Sequence, residues 1–326
     1  MLEHSPDPPT RRTHTTPAIA QLSPGTLWQR ATDVTASGLA CGALEPLSTH
    51  HETYDDRGIR FSLRILDNLR RKAKAQRDRP ADFNPFLPYD RDLFVADISD
   101  THVCVLNKYN VFDQHLLIIT RQFEAQTNWL NDADFFALWL ALRENGGLGF
   151  YNGGAAAGAS QRHKHLQLVP FPVSPEEPCD SRSIPIAGVI ERANYTTHPT
   201  LSTTSNTTIN TATNTTTNTA TNTAPEQIVI GTSSELPFRH AIVPLDATWS
   251  HDPAIAAQAT TWRYRFALEA IGLPWSETEQ TGAYNLLMTC DWLLVVPRSR
   301  ESITSDVGSI SINALGFAGA LLVKNA

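Results

Sequence analysis

Two stretches of the chain repeat one another, and that duplication limits the folds available more than any other feature. His115-Leu116-Leu117-Ile118-Ile119-Thr120 reads like His240-Ala241-Ile242-Val243-Pro244-Leu245. Each leads into a helical pattern, then a Tyr-Asn pair (Tyr151-Asn152, Tyr284-Asn285), then an apolar strand closing on Val-Pro at Pro170 and Pro297. Matched features in the same order predict two copies of one supersecondary unit. Aligning the prolines sets Trp292 opposite His165, Cys290 opposite His163 and Leu294 opposite Gln167. The second copy thus lacks the polar groups of the first, and the expectation is a pseudo-dimer of two halves with one active site per chain. With 326 residues, 41% of them hydrophobic, the chain can bury a core of that size.

The elements between these landmarks are mixed. Segments 102–106 and 114–120 have strand character, and segment 61–69 reads as a strand passing into a basic helix. Residues 132–145 carry Phe135, Phe136, Leu138, Trp139 and Leu142 at helical spacing, with Asn131 as N-cap and Gly146 closing the helix. Residues 254–270 repeat the amphipathic pattern and end near Gly272. Hairpin strands alternating with solitary helices define an α+β class with an antiparallel sheet. The expected organisation is a disordered tail over 1–24, a catalytic half over 25–195, a low-complexity Thr/Asn insert over 196–225 and a C-terminal half over 226–326 that completes the nucleotide site. The insert has no apolar periodicity with which to offset its ordering entropy, so a flexible surface segment is expected.

Composition excludes several classes. A net charge of −7 argues against a general nucleic-acid binder. Cys41, Cys104, Cys179 and Cys290 are widely spaced and form no Cys-x-x-Cys pair, which argues against a disulfide framework or a structural zinc. The first residues have no apolar segment of the signal-peptide kind, and no apolar run approaches membrane-spanning length, so a cytoplasmic location without membrane contact is the default expectation.

Chemistry concentrates in Gly158-Ala159-Ser160-Gln161-Arg162-His163-Lys164-His165-Leu166-Gln167. On a strand, His163, His165 and Gln167 share one face, while Leu166, Leu168 and Pro170 face the other. Three polar groups behind a small-residue loop suit an anionic phosphoryl centre: loop amides bind oxygens, an imidazole attacks phosphorus, and an amide side chain steadies developing charge. Two alternatives are a pair of metal ligands and buried structural histidines. A metal site needs further ligands, and neutral Gln is a poor one.

His-x-His-x-Gln after Gly-Ala-Ser-Gln resembles the histidine-triad superfamily, in its nucleotidyltransferase branch, and is most similar to the diadenosine tetraphosphate phosphorylases or ATP adenylyltransferases. The resemblance extends through Asn84-Pro85-Phe86-Leu87-Pro88, Asn107-Lys108-Tyr109-Asn110-Val111, Phe150-Tyr151-Asn152, Leu236-Pro237-Phe238-Arg239-His240, Tyr284-Asn285-Leu286-Leu287 and Asp291-Trp292 to Pro297-Arg298. It implies a histidine-triad-like fold and phosphorolysis of diadenosine tetraphosphate to ADP and ATP through an adenylyl-histidine. His165 would be the nucleophile, its other ring nitrogen held by a main-chain carbonyl. Gln167 would contact a phosphoryl oxygen, and His163 would support the nucleophile or touch the leaving phosphates.

Gly158, Ala159, Ser160 and Gln161 would bind phosphate oxygens, and Asn152 would orient the phosphoryl group. The basic run Arg70, Arg71, Lys72, Lys74, Arg77 offers Lys72 as a phosphate contact, although such runs are usually solvated helix faces. Asn107 and Lys108 match a second family contact pair. Asn285, Leu286, Leu287, Leu294 and Arg298 match positions approaching the nucleotide, with core packing an equal reading for Leu294. One departure is Arg162, where family members often have Pro.

The implied partners are a dinucleoside polyphosphate, ATP, ADP and phosphate, acting on a monomer or weak dimer. No covalent cofactor or protein-held metal is implied; Mg2+ would arrive with the substrate. Competing functions on the same intermediate are a hydrolase and an ADP-sulfurylase. A non-catalytic nucleotide sensor belongs to a different class. Uridylyl transfer to a sugar phosphate is disfavoured, because those relatives often carry a structural metal and the cysteine cluster is missing here.

Overall fold

The computed structural model describes residues 22–66, 83–174, 177, 179–199, 207–210, 215–218, 227–277, 279–305 and 308–324. Seventeen strands are described: β1 Thr49–Asp56, β2 Ile59–Leu66, β3 Phe94–Asp97, β4 His102–Leu106, β5 Leu116–Thr120, β6 Leu148–Gly153, β7 His165–Val169, β8 Asn194–Pro199, β9 Thr207–Asn210, β10 Thr215–Asn218, β11 Gln227–Thr232, β12 Ala241–Pro244, β13 Ala283–Met288, β14 Trp292–Arg298, β15 Ser302–Ser305, β16 Gly308–Ser311 and β17 Ala320–Lys324. The α-helices among the described residues are α1 Leu27–Cys41, α2 Asp132–Leu142, α3 Ala187–Glu191, α4 Pro253–Ala270 and α5 Ala314–Phe317.

Ten strands form one antiparallel sheet in the order β3-β4-β5-β7-β6-β13-β14-β12-β11-β8. Its two halves mirror one another about the β6–β13 seam: β5-β7-β6 on one side answers β12-β14-β13 on the other. A single rung crosses all six strands as Leu117, Gln167, Phe150, Leu287, Leu294 and Ile242. In this register Leu294 is the counterpart of Gln167 and Trp292 of His165, as the aligned prolines predict. The Tyr-Asn match does not share it. Asn152 pairs directly with Asn285 across the seam, and Thr289 stands at the position equivalent to Asn152. The structure therefore corrects that part of the repeat.

Local sequence explains the main helices. Asn131 caps α2 by accepting from the N–H groups of Ala133 and Asp134, and Asp134 returns a bond to the Asn131 N–H. Asp252 caps α4, whose first residue is Pro253. With α1 these helices cover one face of the sheet, burying Phe135, Trp139, Tyr151, Tyr264, Leu166, Leu168 and Leu286. The opposite face carries Phe150, Leu287, Leu294 and Trp292 beneath α3 and α5, and the smaller cluster of Phe86, Leu117 and Ile119.

The Thr/Asn tract, expected as a flexible surface insert, holds extended segments where it is described. Its first residues belong to β8, which pairs with β11 at the sheet edge, and β9 pairs with β10. Thr is β-branched and accepts extended backbone well, which a reading based on missing apolar periodicity overlooks. The expected basic helix after β2 lies outside the described residues.

Candidate active site

The polar ends of β7 and β6 meet where their ladder opens. Pairing stops at Phe150 opposite Gln167, and beyond that rung Gln126 enters between the strands. Its Oε1 accepts from the His165 N–H at 2.9 Å. Its Nε2 donates to the main-chain oxygens of Asn152 at 3.0 Å and His165 at 3.3 Å. One buried amide side chain thus satisfies three backbone groups that a neighbouring strand would otherwise satisfy.

His165 is buried, and its Nδ1 lies 2.8 Å from the main-chain oxygen of His163. The carbonyl only accepts, so Nδ1 carries the proton and Nε2 keeps its lone pair. Nε2 has no protein partner among the described residues. Burial pushes the His165 pKa down to about 4, so the ring is neutral near pH 7. His163 is held differently. Its Nε2 donates to the Thr120 oxygen at 2.8 Å, and its Nδ1 accepts from Asn84 Nδ2 at 3.0 Å. Burial also lowers its pKa. Phe86 packs on both rings, with centroids 5.6 Å and 5.2 Å away.

Gln167 accepts from His115 Nε2 through Oε1 at 3.0 Å, which leaves its Nε2 open. Asn152 accepts through Oδ1 from Asn285 Nδ2 at 2.8 Å and from the Ala314 N–H at 2.9 Å, which leaves its Nδ2 open. Gly154 and Gly158, both at positive φ, bound the short turn Ala155–Ala157 beside these groups. A Cβ on Gly158 would stand 3.1 Å from Asn313, so close packing as well as conformation selects glycine there.

Several candidate residues are engaged with protein groups or enclosed in the apolar core. The N–H groups of Gly158 and Ala159 are bonded within the turn, to Ala155 and Gly154 oxygens, because the turn closes on itself. Ser160 and Gln161 are the loop residues whose N–H groups have no main-chain partner among those described. Leu286 projects to the helix-covered face and is fully buried, since alternation puts it opposite Asn285 and Leu287. Leu287 and Leu294 lie on the site's face but are fully enclosed in its apolar cluster.

Asn285 and Arg298 are engaged by protein groups. Asn285 Nδ2 also holds the Ala157 oxygen at 2.8 Å, while Arg298 reaches Asn285 Oδ1 and the oxygens of Ile312, Arg300 and Glu301. They brace the turn from behind. Lys108 pairs with Glu45 at 3.2 Å, and Asn107 bonds His115 at 3.2 Å. Both ring nitrogens of His163 are engaged by protein groups. Lys72 lies outside the described residues.

Reasoning from sequence missed Gln126, His115, Thr120 and the buried base of the strand. Lys164, fully buried, projects opposite to the histidines and pairs with Asp134 and with Glu124 at 3.1 Å. Burial raises the Asp134 pKa, but the hydrogen bond from His102 and the charge of Lys164 bring it below the ordinary value. Asn84 belongs to a motif visible in the sequence; nothing in the sequence marks Gln126.

A duplicated α+β fold with one His-x-His-x-Gln strand defines a nucleotidyltransferase of the histidine-triad kind. The Ap4A phosphorylase N-terminal domain family matches residues 17–192, and the ATP adenylyltransferase C-terminal domain family matches residues 234–326. This chain belongs to the Ap4A phosphorylase family and is an enzyme of the ATP adenylyltransferase type.

Diadenosine 5',5'''-P1,P4-tetraphosphate phosphorylase 2 of Saccharomyces cerevisiae is 26% identical over 258 residues, spanning 74% of this chain and 69% of the relative. Protein APA1 of the same yeast is 26% identical over 230 residues, 68% of this chain and 61% of its own length. The crystal structure of yeast Ap4A phosphorylase Apa2 superposes with a TM-score of 0.65 at 21% identity, covering 95% of this chain and 89% of that one. The same protein in complex with Ap4A gives 0.62, covering 95% and 91%.

Proposed function

We propose that this protein cleaves diadenosine tetraphosphate with inorganic phosphate, giving ADP and ATP, by two displacements at one phosphorus. The observation that carries the reading is His165: buried, neutral, with Nδ1–H held by a carbonyl and Nε2 free beside open Gln167 and Asn152 amides. Nε2 attacks the α-phosphorus, the Pα–O–Pβ bond breaks, and ATP leaves. The adenylylated ring keeps its Nδ1–H on the His163 oxygen, which stabilises the positive charge it gains. Phosphate then attacks the same phosphorus, the P–N bond breaks, ADP leaves and the neutral imidazole returns. The covalent route divides one difficult displacement into two and conserves the anhydride energy.

The Nε2 groups of Gln167 and the Nδ2 group of Asn152 donate to the non-bridging phosphoryl oxygens as charge shifts onto them. Ser160 and Gln161 supply the loop's open N–H groups. Asn285 and Arg298 act through the turn they brace; Lys72 contributes counter-charge along the polyphosphate, as does Lys108 once it exchanges Glu45 for phosphate. Among the described residues no group of three or more His, Cys, Asp or Glu side chains could hold a metal, and we assign Mg2+ to the incoming substrate. No described helix is long and apolar enough to cross a membrane, and we place the reaction in the cytoplasm. One chain supplies both halves of the site, which suits a monomer or weak dimer.

The test is substrate labelled on the α-phosphate, with and without phosphate. Withholding phosphate should leave acid-labile label on His165; adding it should release ADP, with ATP as the other product. AMP and ATP without phosphate would make the protein a hydrolase, ADP formation from adenylyl sulfate an ADP-sulfurylase, and tight binding without turnover a sensor.

A further inference from the structure

Gln167 can help phosphoryl transfer only if it turns its NH2 group, not its oxygen, toward the phosphoryl centre, because two acceptors facing one another repel. Nothing in Gln167 itself decides this, since the two ends of an amide have nearly the same shape. The decision is made two side chains away. Asn107 lies at the end of β4, where its Oδ1 accepts from the N–H of Tyr109 at 3.3 Å in an Asx-turn. A main-chain N–H is only a donor, so this contact fixes which end of the Asn107 amide is oxygen. Its Nδ2 is then the group 3.2 Å from His115 Nδ1, which must accept. A ring accepting at Nδ1 carries its proton on Nε2, and that N–H meets Gln167 Oε1 at 3.0 Å. The Gln167 NH2 is therefore the end left for the substrate.

We propose that Asn107 and His115 form a polarity relay that sets the orientation of the Gln167 amide, with the Tyr109 N–H as its origin. They are positioning residues that need not touch the nucleotide. The relay is held at each step. The Asn107 N–H donates to the His115 oxygen at 2.8 Å, closing the β4–β5 hairpin and fixing the two side chains side by side. The His115 ring lies against Phe150, whose own rung partner is Gln167. Reversing any member would reverse the rest: a Gln167 flipped to donate toward His115 requires Nδ1–H, a flipped Asn107, and a repulsive N–H to NH2 contact at Tyr109.

The inference rests on the transferase reading for its catalytic consequence, but the relay's direction can be measured without substrate. Long-range nitrogen–proton spectra of the protein labelled with 15N-histidine should show His115 as the Nε2–H tautomer, with Nδ1 at the lone-pair position; the Nδ1–H tautomer would overturn the relay.

The functional arm compares two substitutions of equal shape. His115→Gln keeps a donor for Gln167 Oε1, whereas His115→Glu offers only acceptors and pulls the Gln167 NH2 away from the site. The Glu variant should have kcat lower than the Gln variant by about a hundredfold, with KM changed far less. In a Gln167→Ala background the gap should close, because the group being oriented is gone. Equal rates for the two variants, or a gap that persists without Gln167, would overturn the proposal, since packing alone does not distinguish Gln from Glu. Absence of turnover in the unaltered protein would instead refute the transferase reading, and the tautomer would still decide the relay.

Discussion

His165 differs from an ordinary exposed histidine in its proton affinity, and that difference is measurable. Burial lowers its pKa to about 4. The labelling step, run without phosphate so that phosphate ionisation does not enter, should stay near its plateau down to about pH 5, with the acid limb below that. An acid limb centred near about 6.5 would show a solvated ring instead. The same shift couples to stability. The unfolded chain takes up this proton before the folded one does, so stability falls as pH drops from about 6.5 through the folded value, and the contribution is fully present above that window. His165→Ala should abolish both labelling and turnover while leaving nucleotide affinity within a few-fold, because the Gln167 and Asn152 amides remain. Activity in that variant would remove His165 as nucleophile.

Lys164 gives a contrasting residue-scale case, because its charge serves the fold. It is fully enclosed with Asp134, whose other partners are His102 and the cap of α2. Lys164→Met should cost about 3–5 kcal/mol in urea denaturation, since it leaves a buried carboxylate short of its cation. A cost below about 1 kcal/mol would mean that water already reaches the pair.

At the scale of elements, the site depends on a gap in the ladder between β6 and β7, and Gln126 fills that gap. Gln126→Ala would strip partners from three backbone groups. It should destabilise the protein by about 1–3 kcal/mol and lower kcat more than it raises KM, because the strand that carries His165 loses its anchor. A variant that is destabilised yet labels at the normal rate would confine Gln126 to a structural role.

This feature also marks where sequence stops being informative. The periodicities of α2 and α4, the caps Asn131 and Asp252, and the shared face of His163, His165 and Gln167 are local properties, legible from spacing alone. Gln126, His115 and Asn84 meet the site from 39, 52 and 79 residues away, and only the assembled sheet brings them there. Alternation further separates Leu286 from Leu287, so of these two neighbours only Leu287 has its side chain on the face of the site. Engagement by protein groups is equally invisible in sequence: Arg298 is the kind of residue that binds phosphate, yet its guanidinium is taken up by main-chain oxygens.

For the molecule as a whole, the duplicated sheet places β7 near its centre and β8, where the Thr/Asn tract begins, at its edge. β7 lies beside the seam, whereas β8 is the terminal strand, six strands away in the sheet order. Of the two family regions, one ends at residue 192 and the other begins at 234, with the tract between them. Pro199 and Gln227 are direct partners at the end of the β8–β11 ladder. A hairpin can therefore be closed across them with an Asn-Gly turn in place of residues 200–226, because a two-residue type I′ turn fits the twist of paired antiparallel strands. The shortened chain should keep the kcat and KM of the intact protein within about twofold and shift Tm by no more than a few degrees, since shortening a loop of this length changes closure entropy by only about 2 kcal/mol. Both quantities are read from the same preparation by thermal denaturation and phosphorolysis. A large loss of turnover at unchanged Tm would mean that the tract reaches the substrate and that the site extends beyond the ten-stranded sheet.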